Sequence, residues 1–184
     1  MDYQEKTVLL KNGKACLLRA PVEGDAEMML DYLMTTSAET PYMIREPEEV
    51  RTDLEEEERE FLRKAAEHPR RLMVSAYVEG QLAGTCSFAP ASERNRMRHR
   101  CRVGISLYRA FWGLGIGTAL MGEILAGAKT AGFEQAELEV VSANAPAIGL
   151  YKKMGFEATG TIPHAFKYKD GSYGDNLFMV KDLT

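Results

Sequence analysis

The chain is poor in cysteine, histidine and tryptophan, with three, three and one of these residues among 184. Cys16, Cys86 and Cys101 are odd in number and have no C-x-x-C spacing, so neither a disulfide framework nor a zinc site is expected. No apolar run reaches the roughly 18 residues of a transmembrane helix, and residues 1–6 lack a signal-peptide pattern. We therefore expect a cytoplasmic protein with reduced thiols, no metal and no membrane contact.

Acidic residues outnumber basic ones, and the net charge of −4 argues against nucleic acid as a partner. The charge is uneven, because residues 46–60 carry nine acidic and two basic side chains while residues 94–102 are rich in arginine. The acidic segment is either a solvated helix face or a field that attracts cationic amines. The basic segment is either an exposed loop or an attraction for a polyanion. The length and an apolar content of 45% fit one domain that spans residues 1–184.

Apolar periodicity and turn residues predict a β-hairpin, two helices, three strands, a helix, a strand, a helix and two strands. Asn12-Gly13 marks the first hairpin, Asp25 is a candidate N-cap, and Pro47 opens a second helix that runs to about Glu67. The later elements are predicted at 71–79, 81–90, 97–108, 115–131, 135–141, 145–154, 156–163 and 176–181. The last two strands meet at a tip marked by Asp170-Gly171.

A glycine-rich segment, Trp112-Gly-Leu-Gly-Ile-Gly-Thr118, follows a predicted strand and opens a predicted helix. Unpaired N–H groups and the positive end of the helix dipole at such a turn suit a pyrophosphate. The segment lacks the Lys-Ser or Lys-Thr pair of a P-loop and the spacing of the dinucleotide fingerprint. A tight turn that binds nothing remains the alternative.

A second segment begins at Asn144 and ends at Phe156. Its asparagine lies at the start of a predicted helix, and Tyr151 follows seven residues later, two turns along the same side. Both segments together resemble the GCN5-related N-acetyltransferase (GNAT) superfamily. The family's acyl-CoA loop reads Q/R-x-x-G-x-G/A, which Trp112-x-x-Gly115-x-Gly117 matches except at its first position.

The family's C-terminal pattern N-x-x-A-x-x-L-Y-x-K-x-G-F is matched without a gap by Asn144, Ala147, Leu150, Tyr151, Lys153, Gly155 and Phe156. Upstream, Leu138-Glu-Val140 resembles a strand of the ribosomal-protein alanine acetyltransferases. The resemblance covers residues 72–156. It implies an α/β fold with a mixed, mostly antiparallel central sheet, helices on both faces and a splayed strand pair that holds acyl-CoA.

The function implied by the resemblance is direct transfer of an acetyl group from acetyl-CoA to the primary amine of a small-molecule or peptide acceptor. A noncatalytic acyl-CoA-binding or sensing protein on the same fold is the alternative, and a different nucleotide-binding enzyme is a third interpretation. The acceptor pocket is expected to be built from two segments, residues 39–60 and residues 164–175. A homodimer is compatible with the sequence, although no motif supports one.

The implied cofactor site combines a strand, the glycine turn with the start of the helix after it, and two residues of the second segment. Its residues are Ile105, Ser106, Leu107, Trp112, Gly113, Leu114, Gly115, Ile116, Gly117, Thr118, Asn144 and Lys153. Asn144 also suits an ordinary N-cap. Trp112 stands where the family has arginine or glutamine, so the phosphates would depend on backbone N–H groups.

The candidate acid is Tyr151, which would hydrogen-bond the departing thiolate, unless it is simply a core tyrosine. The candidate base is Glu139, unless it is a solvated strand residue. Glu137 lies on the same side of that strand and is a second choice, and His99 is a third. Many relatives carry a glutamate in the strand before the glycine loop, where this chain has Arg102.

Overall fold

An open sheet of eight strands and four α-helices is formed within residues 1–51 and 53–184, which the computed structural model describes. The strands are β1 Lys6–Leu9, β2 Ala15–Arg19, β3 Leu72–Val78, β4 Gln81–Pro90, β5 Arg100–Leu107, β6 Gln135–Val141, β7 Glu157–Lys167 and β8 Tyr173–Asp182. The helices are α1 Ala26–Glu39, α2 Glu55–Glu67, α3 Ile116–Thr130 and α4 Ala145–Lys153.

The strand order is β1-β2-β3-β4-β5-β6-β8-β7, and every neighbouring pair is antiparallel except β5 and β6. A parallel neighbour requires a crossover connection, which α3 provides between β5 and β6. The mixed, mostly antiparallel α/β sheet expected from the sequence is therefore confirmed.

Helices cover both faces of the sheet. On one face α3 buries one apolar stripe completely, with Ile116, Leu120, Ile124 and Ala128 at 0% exposure. Each of the larger side chains contributes roughly 1.5–3 kcal/mol by leaving water. On the opposite face, α1 and α2 pack on the sheet through Met29, Tyr32 and Leu62. The sheet thus separates two layers, and a ligand that crosses it must pass between strands.

The predicted helix from Pro47 to Glu67 is wrong in its first third. Pro47–Glu49 is a single 3-10 turn, closed by the Glu49 carboxylate on the Glu46 N–H at 2.8 Å, and α2 begins only at Glu55. Its first turn holds four consecutive glutamates, which the positive end of the helix dipole stabilises. The acidic run therefore marks a helix start as well as a solvated face.

Two other elements also differ from expectation. Asp25 precedes α1 but does not cap it, because its carboxylate instead binds Arg19 at 2.7 and 2.8 Å and the Val22 N–H at 2.8 Å. The last two strands are longer than predicted and form one hairpin, so residues 164–175 are largely strand around a tip at Asp170-Gly171. The end of β7 was not predicted because this edge strand is exposed over nearly its whole length and therefore lacks a clear alternation of apolar and polar residues.

Candidate active site

The site begins where β5 and β6 separate. The two strands pair only over Arg100–Arg102 and Gln135–Glu137, at the start of each strand. Beyond that point β5 remains paired with β4, and β6 with β8, so that a V-shaped gap opens between them. This is the splayed pair expected from the sequence.

Backbone direction decides which groups of β5 face the gap. The Arg100 carbonyl accepts from Ala91, and the Tyr108 N–H donates to Ala83, so even-numbered residues direct their backbone groups toward β4. The alternation along a strand then directs the N–H and C=O groups of Ile105 and Leu107 into the gap. Ser106, predicted as a backbone ligand, therefore faces the wrong way, and its hydroxyl instead hydrogen-bonds Tyr32 at 2.7 Å.

The glycine turn follows β5 and uses its glycines for two different purposes. Gly113 and Gly115 have φ angles of 77° and 98°, in the left-handed region that favours glycine. Gly117 is needed for space, because a Cβ there would lie 3.0 Å from Leu150 Cδ2 of α4. Gly115 is also the N-cap of α3 and offers no capping side chain, so N–H groups of the first turn remain available to a ligand.

Two residues of the turn are held by the surrounding fold. The Trp112 indole N–H donates to the Leu107 carbonyl at 3.0 Å, which fastens the turn to the open end of β5. The Leu114 carbonyl accepts from the Lys11 N–H at 3.2 Å, and its side chain packs on the core. Leu114 therefore differs from the other predicted cofactor residues, because it does not line the cavity that lies beside the turn.

A cavity of about 520 Å³ lies between α3, α4 and the V, and is called the α3-side cavity. All predicted site residues other than Leu114 line it, including Tyr151, Glu139, Asn144 and Lys153. Asn144 is also the N-cap of α4, since its Oδ1 accepts from the Ala147 N–H at 3.2 Å. Two sequence segments separated by a helix and a strand thus meet around one space.

Tyr151 is buried, with 7% exposure, and its ring meets Phe156 edge-on at 6.0 Å between centroids. Burial raises the pKa of its hydroxyl above the ordinary value of about 10. Tyr151 lines the α3-side cavity, and no hydrogen bond of its hydroxyl contributes to that shift. The group is a neutral hydrogen-bond donor at physiological pH.

A second cavity, of about 570 Å³, lies on the α1 and α2 face of the sheet and is called the α1-side cavity. The two cavities share the sides of the V, and Glu139, Tyr42 and Met43 line both. Glu139 is exposed and accepts from Asn176 Nδ2 at 3.3 Å, while the Oδ1 of Asn176 is buried without a partner. The Tyr42 O–H donates to the carbonyl of Ala143, which lies just past β6, at 3.3 Å.

The alternatives to Glu139 are differently placed. Glu137 is on the same strand face, but it is buried and engaged by Arg100 and Arg102. His99 precedes β5 at the closed end of the V and lines neither cavity. Of the three candidate bases, Glu139 is thus the one that is both exposed to solvent and open to the two cavities.

Tyr42, Met43 and Asn176 were not singled out from the sequence. The first two fall in the range 39–60 expected near the acceptor, and Asn176 falls one residue past the range 164–175. Pro41-Tyr42 gives no local signal of the contact between Tyr42 and Ala143, which are far apart in the sequence. The contact appears only when the sheet is assembled.

The cysteines and the candidate metal ligands lie apart from the two cavities or from one another in the described part of the chain. The three cysteines are buried, and burial raises the pKa of the Cys86 thiol and takes that of Cys101 to about 12. No group of three or more His, Cys, Asp or Glu side chains in residues 1–51 and 53–184 could hold a metal ion. No helix within those residues is long and apolar enough to cross a membrane.

Comparison with known proteins agrees with this geometry. The sequence model of the acetyltransferase (GNAT) family matches residues 33–156, which include the V, the glycine turn and α4. The chain belongs to the GNAT family. The expected enzyme class, an N-acetyltransferase with acetyl-CoA as its cosubstrate, is thereby confirmed.

Individual relatives are distant. The chain is similar to the L-amino acid N-acetyltransferase AaaT of Escherichia coli, with 29% identity over 119 residues that cover 64% of this chain and 72% of AaaT. A GNAT acetyltransferase structure from Streptococcus pneumoniae has a TM-score of 0.84 and 26% identity, covering 92% of this chain and 99% of that one. The yncA structure of Salmonella typhimurium, solved with acetyl-CoA, has a TM-score of 0.78 and 20% identity over 92% and 94% of the two chains, which indicates the fold alone.

Proposed function

We propose that this GNAT protein transfers the acetyl group of acetyl-CoA directly to the primary amine of a small molecule. The observation that carries the proposal is that the two cavities meet at the V, where Glu139 lines both of them. The acetyl donor would occupy the α3-side cavity and the amine the α1-side cavity, so that the two meet without a covalent enzyme intermediate. A small acceptor is favoured by the named substrate class of AaaT.

The donor would be held mainly by backbone. The pyrophosphate would accept hydrogen bonds from the free N–H groups at the start of α3, and Lys153 at the edge of the cavity would add a positive charge. The pantetheine arm would pair with the exposed backbone groups of Ile105 and Leu107, as an added strand pairs with a sheet edge. Because Trp112 occupies the Leu107 carbonyl, the free groups are the Leu107 N–H and both groups of Ile105.

Glu139 would act as the base. An amine must be neutral to attack, and a lysine-type amine has an ordinary pKa of about 10.4, so it is protonated at neutral pH. Asn176 would hold the Glu139 carboxylate in place through its Nδ2. As the amine nitrogen bonds to the acetyl carbon, its proton would pass to Glu139.

Tyr151 would assist departure of the thiolate. Its hydroxyl is neutral and buried on the α3 side, where it would donate a hydrogen bond to the sulfur as the carbon–sulfur bond breaks. The raised pKa of Tyr151 makes full proton transfer to a thiolate, whose ordinary pKa is about 8.5, unfavourable. We therefore assign it stabilisation by hydrogen bonding.

The remaining expectations are part of the same proposal. Strands that lie outside residues 33–156 complete both ends of the sheet, which supports one acetyltransferase domain over residues 1–184. Three buried free thiols favour a reducing compartment, so we place the enzyme in the cytoplasm without a nucleic-acid or membrane partner. A homodimer stays a prediction.

The test is calorimetric titration of the purified protein with acetyl-CoA, followed by a screen of amines in which released CoA thiol is measured. Micromolar binding together with amine-dependent thiol release is expected. Binding without release for any amine would favour the noncatalytic acyl-CoA-binding alternative. Absence of binding would overturn the proposal.

A further inference from the structure

A cluster of three charged side chains lies at the closed end of the V. The Glu137 carboxylate is 1% exposed, and its Oε2 accepts from Arg100 Nε at 2.7 Å and from a second nitrogen of the same guanidinium. Its Oε1 lies 3.4 Å from Arg102 Nε. Two guanidinium groups thus share one carboxylate, which leaves the cluster with one uncompensated positive charge.

That uncompensated charge is directed at the α1-side cavity. The Arg102 side chain is 69% exposed, whereas that of Arg100 is 27% exposed. Only Nε of Arg102 has a partner in the described part of the chain, so both terminal nitrogens remain free to donate. Arg102 lines the α1-side cavity, as do Glu137 and Glu139.

The α1-side cavity is lined by other charged side chains besides this cluster. Arg45 and Glu58 line it from the α1 and α2 side; burial raises the pKa of the Glu58 carboxyl, and the nearby Arg45 charge partly opposes that rise. Arg45 belongs to the loop after α1, and Glu139 is the proposed base. Arg102 is therefore the cation of the cavity that lies on the same strand pair as Glu139, and it has spare hydrogen-bonding capacity toward a ligand.

Strand register fixes how far this cation lies from the base. Arg102 is directly opposite Glu137, and Glu139 follows two residues later on the same face of β6. Two residues of strand span roughly 6.6 Å. A single small molecule can span this distance between flexible side chains, with an anionic group at Arg102 and its amine at Glu139.

We propose that Arg102 anchors a carboxylate of the acceptor, so that the substrate class is a small amine that also carries a carboxylate. This inference rests on the proposed acetyl transfer to a small amine. A guanidinium matches a carboxylate with two parallel N–H···O bonds, which fixes orientation as well as affinity. The same charge repels a second ammonium group, and this selects against diamines and polyamines.

The test compares matched acceptors in the thiol-release assay. Each L-amino acid is paired with the amine that lacks only its carboxylate, for example leucine with 3-methylbutylamine. We expect the wild-type enzyme to prefer the carboxylated member. The Arg102→Gln variant should raise KM for that member by about tenfold to a hundredfold and leave KM for its partner nearly unchanged. Arg102→Lys should restore part of the loss, because it keeps the charge without the paired donors.

Arg96→Gln is the matched control, since it removes an exposed arginine from the connection between β4 and β5. Thermal unfolding and acetyl-CoA titration of each variant separate a folding or donor defect from loss of the carboxylate site. Equal changes of KM for both acceptor classes in Arg102→Gln would overturn the inference and leave acetyl transfer intact. Preference of the wild-type enzyme for amines without a carboxylate would do the same. Transfer to neither class would overturn the proposed function as well.

Discussion

The two sides of the V are built in different ways. On the α3 side, the main groups offered to a ligand are backbone N–H and C=O groups at the glycine turn and along β5, and they come from two short segments, 105–118 and 144–153. On the α1 side, the groups are charged and polar side chains from the loop after α1, from α2 and from four different strands. Glu139 is common to both sides.

This difference separates donor binding from acceptor choice. A backbone site requires particular φ angles and close helix packing, so few substitutions are compatible with it. A side-chain site keeps its fold when one residue is exchanged, because Arg102 and Glu139 are exposed and support no core packing. Acceptor specificity can therefore change while the donor site stays intact, and the variants below test that independence.

The largest effect is expected where the two sides meet. Glu139→Gln keeps the shape of the side chain and its contact with Asn176 but cannot take a proton. We expect kcat/KM for the amine to fall by about 10²- to 10⁴-fold, while acetyl-CoA affinity stays within about twofold. The defect should shrink as the pH rises toward the amine pKa, where the acceptor is neutral without help.

Steady-state kinetics against pH and calorimetry with acetyl-CoA would measure both expectations. Glu157→Gln is a matched control, because it removes an exposed carboxylate from the edge strand β7. A defect in Glu139→Gln that is constant over the whole pH range would argue against its role as a base.

A backbone site should be more sensitive to a single glycine than to most side chains. In Gly117→Glu the new Cβ lies 3.0 Å from Leu150 Cδ2, and the added carboxylate lies in the first turn of α3, where the phosphates are expected. We expect acetyl-CoA affinity to fall roughly a hundredfold, from crowding and from like charge. Gly122→Glu is the control in the same helix, since a Cβ at that position meets no atom within 4 Å.

Titration of both glycine variants, with thermal unfolding to verify the fold, would measure this difference. Equal loss of affinity in the two would mean that the helix, and not the turn, had been damaged. Retained affinity in Gly117→Glu would place the donor elsewhere.

Tyr151→Phe tests a side chain on the α3 side of the V, where most of the groups offered to a ligand belong to the backbone. The ring can keep its packing on Phe156, so we expect normal stability and donor affinity, with kcat lower by about tenfold to a hundredfold. Because burial raises the pKa of Tyr151, its ionisation should not reduce the wild-type rate below pH 10. The assignment would be contradicted if the wild-type rate fell with rising pH already below pH 10 and the rate of Tyr151→Phe did not.

The same contrast explains how much could be predicted from the sequence. The glycine turn, the N-cap of α4 and the bounds of α3 each follow from residues close together in the chain, and their positions were predicted to within a few residues. The backbone direction of Ser106 could not be predicted, because it depends on which edge of β5 pairs with β4. Leu114 was misplaced for a related reason, since its contact with Lys11 comes from the distant first hairpin.

The acceptor side was predicted only as ranges of residues. Its polar and charged side chains come from six separate segments, and their meeting depends on the register of β6 with β5 and β8. Arg102 was noted in the sequence as a departure from the family pattern. Its pairing with Glu137 and its free guanidinium nitrogens became visible only with the strands in register.

The smallest effect is expected at Trp112, whose indole N–H donates to the Leu107 carbonyl. Trp112→Phe removes that hydrogen bond and keeps an aromatic ring. We expect acetyl-CoA affinity to fall about two- to tenfold, because water can replace the donor at this exposed position. Trp112→Arg supplies the cation found here in the family pattern and should raise affinity in a salt-dependent manner. Calorimetry at two ionic strengths distinguishes these outcomes, and complete loss of binding in Trp112→Phe would show that the indole itself contacts the donor.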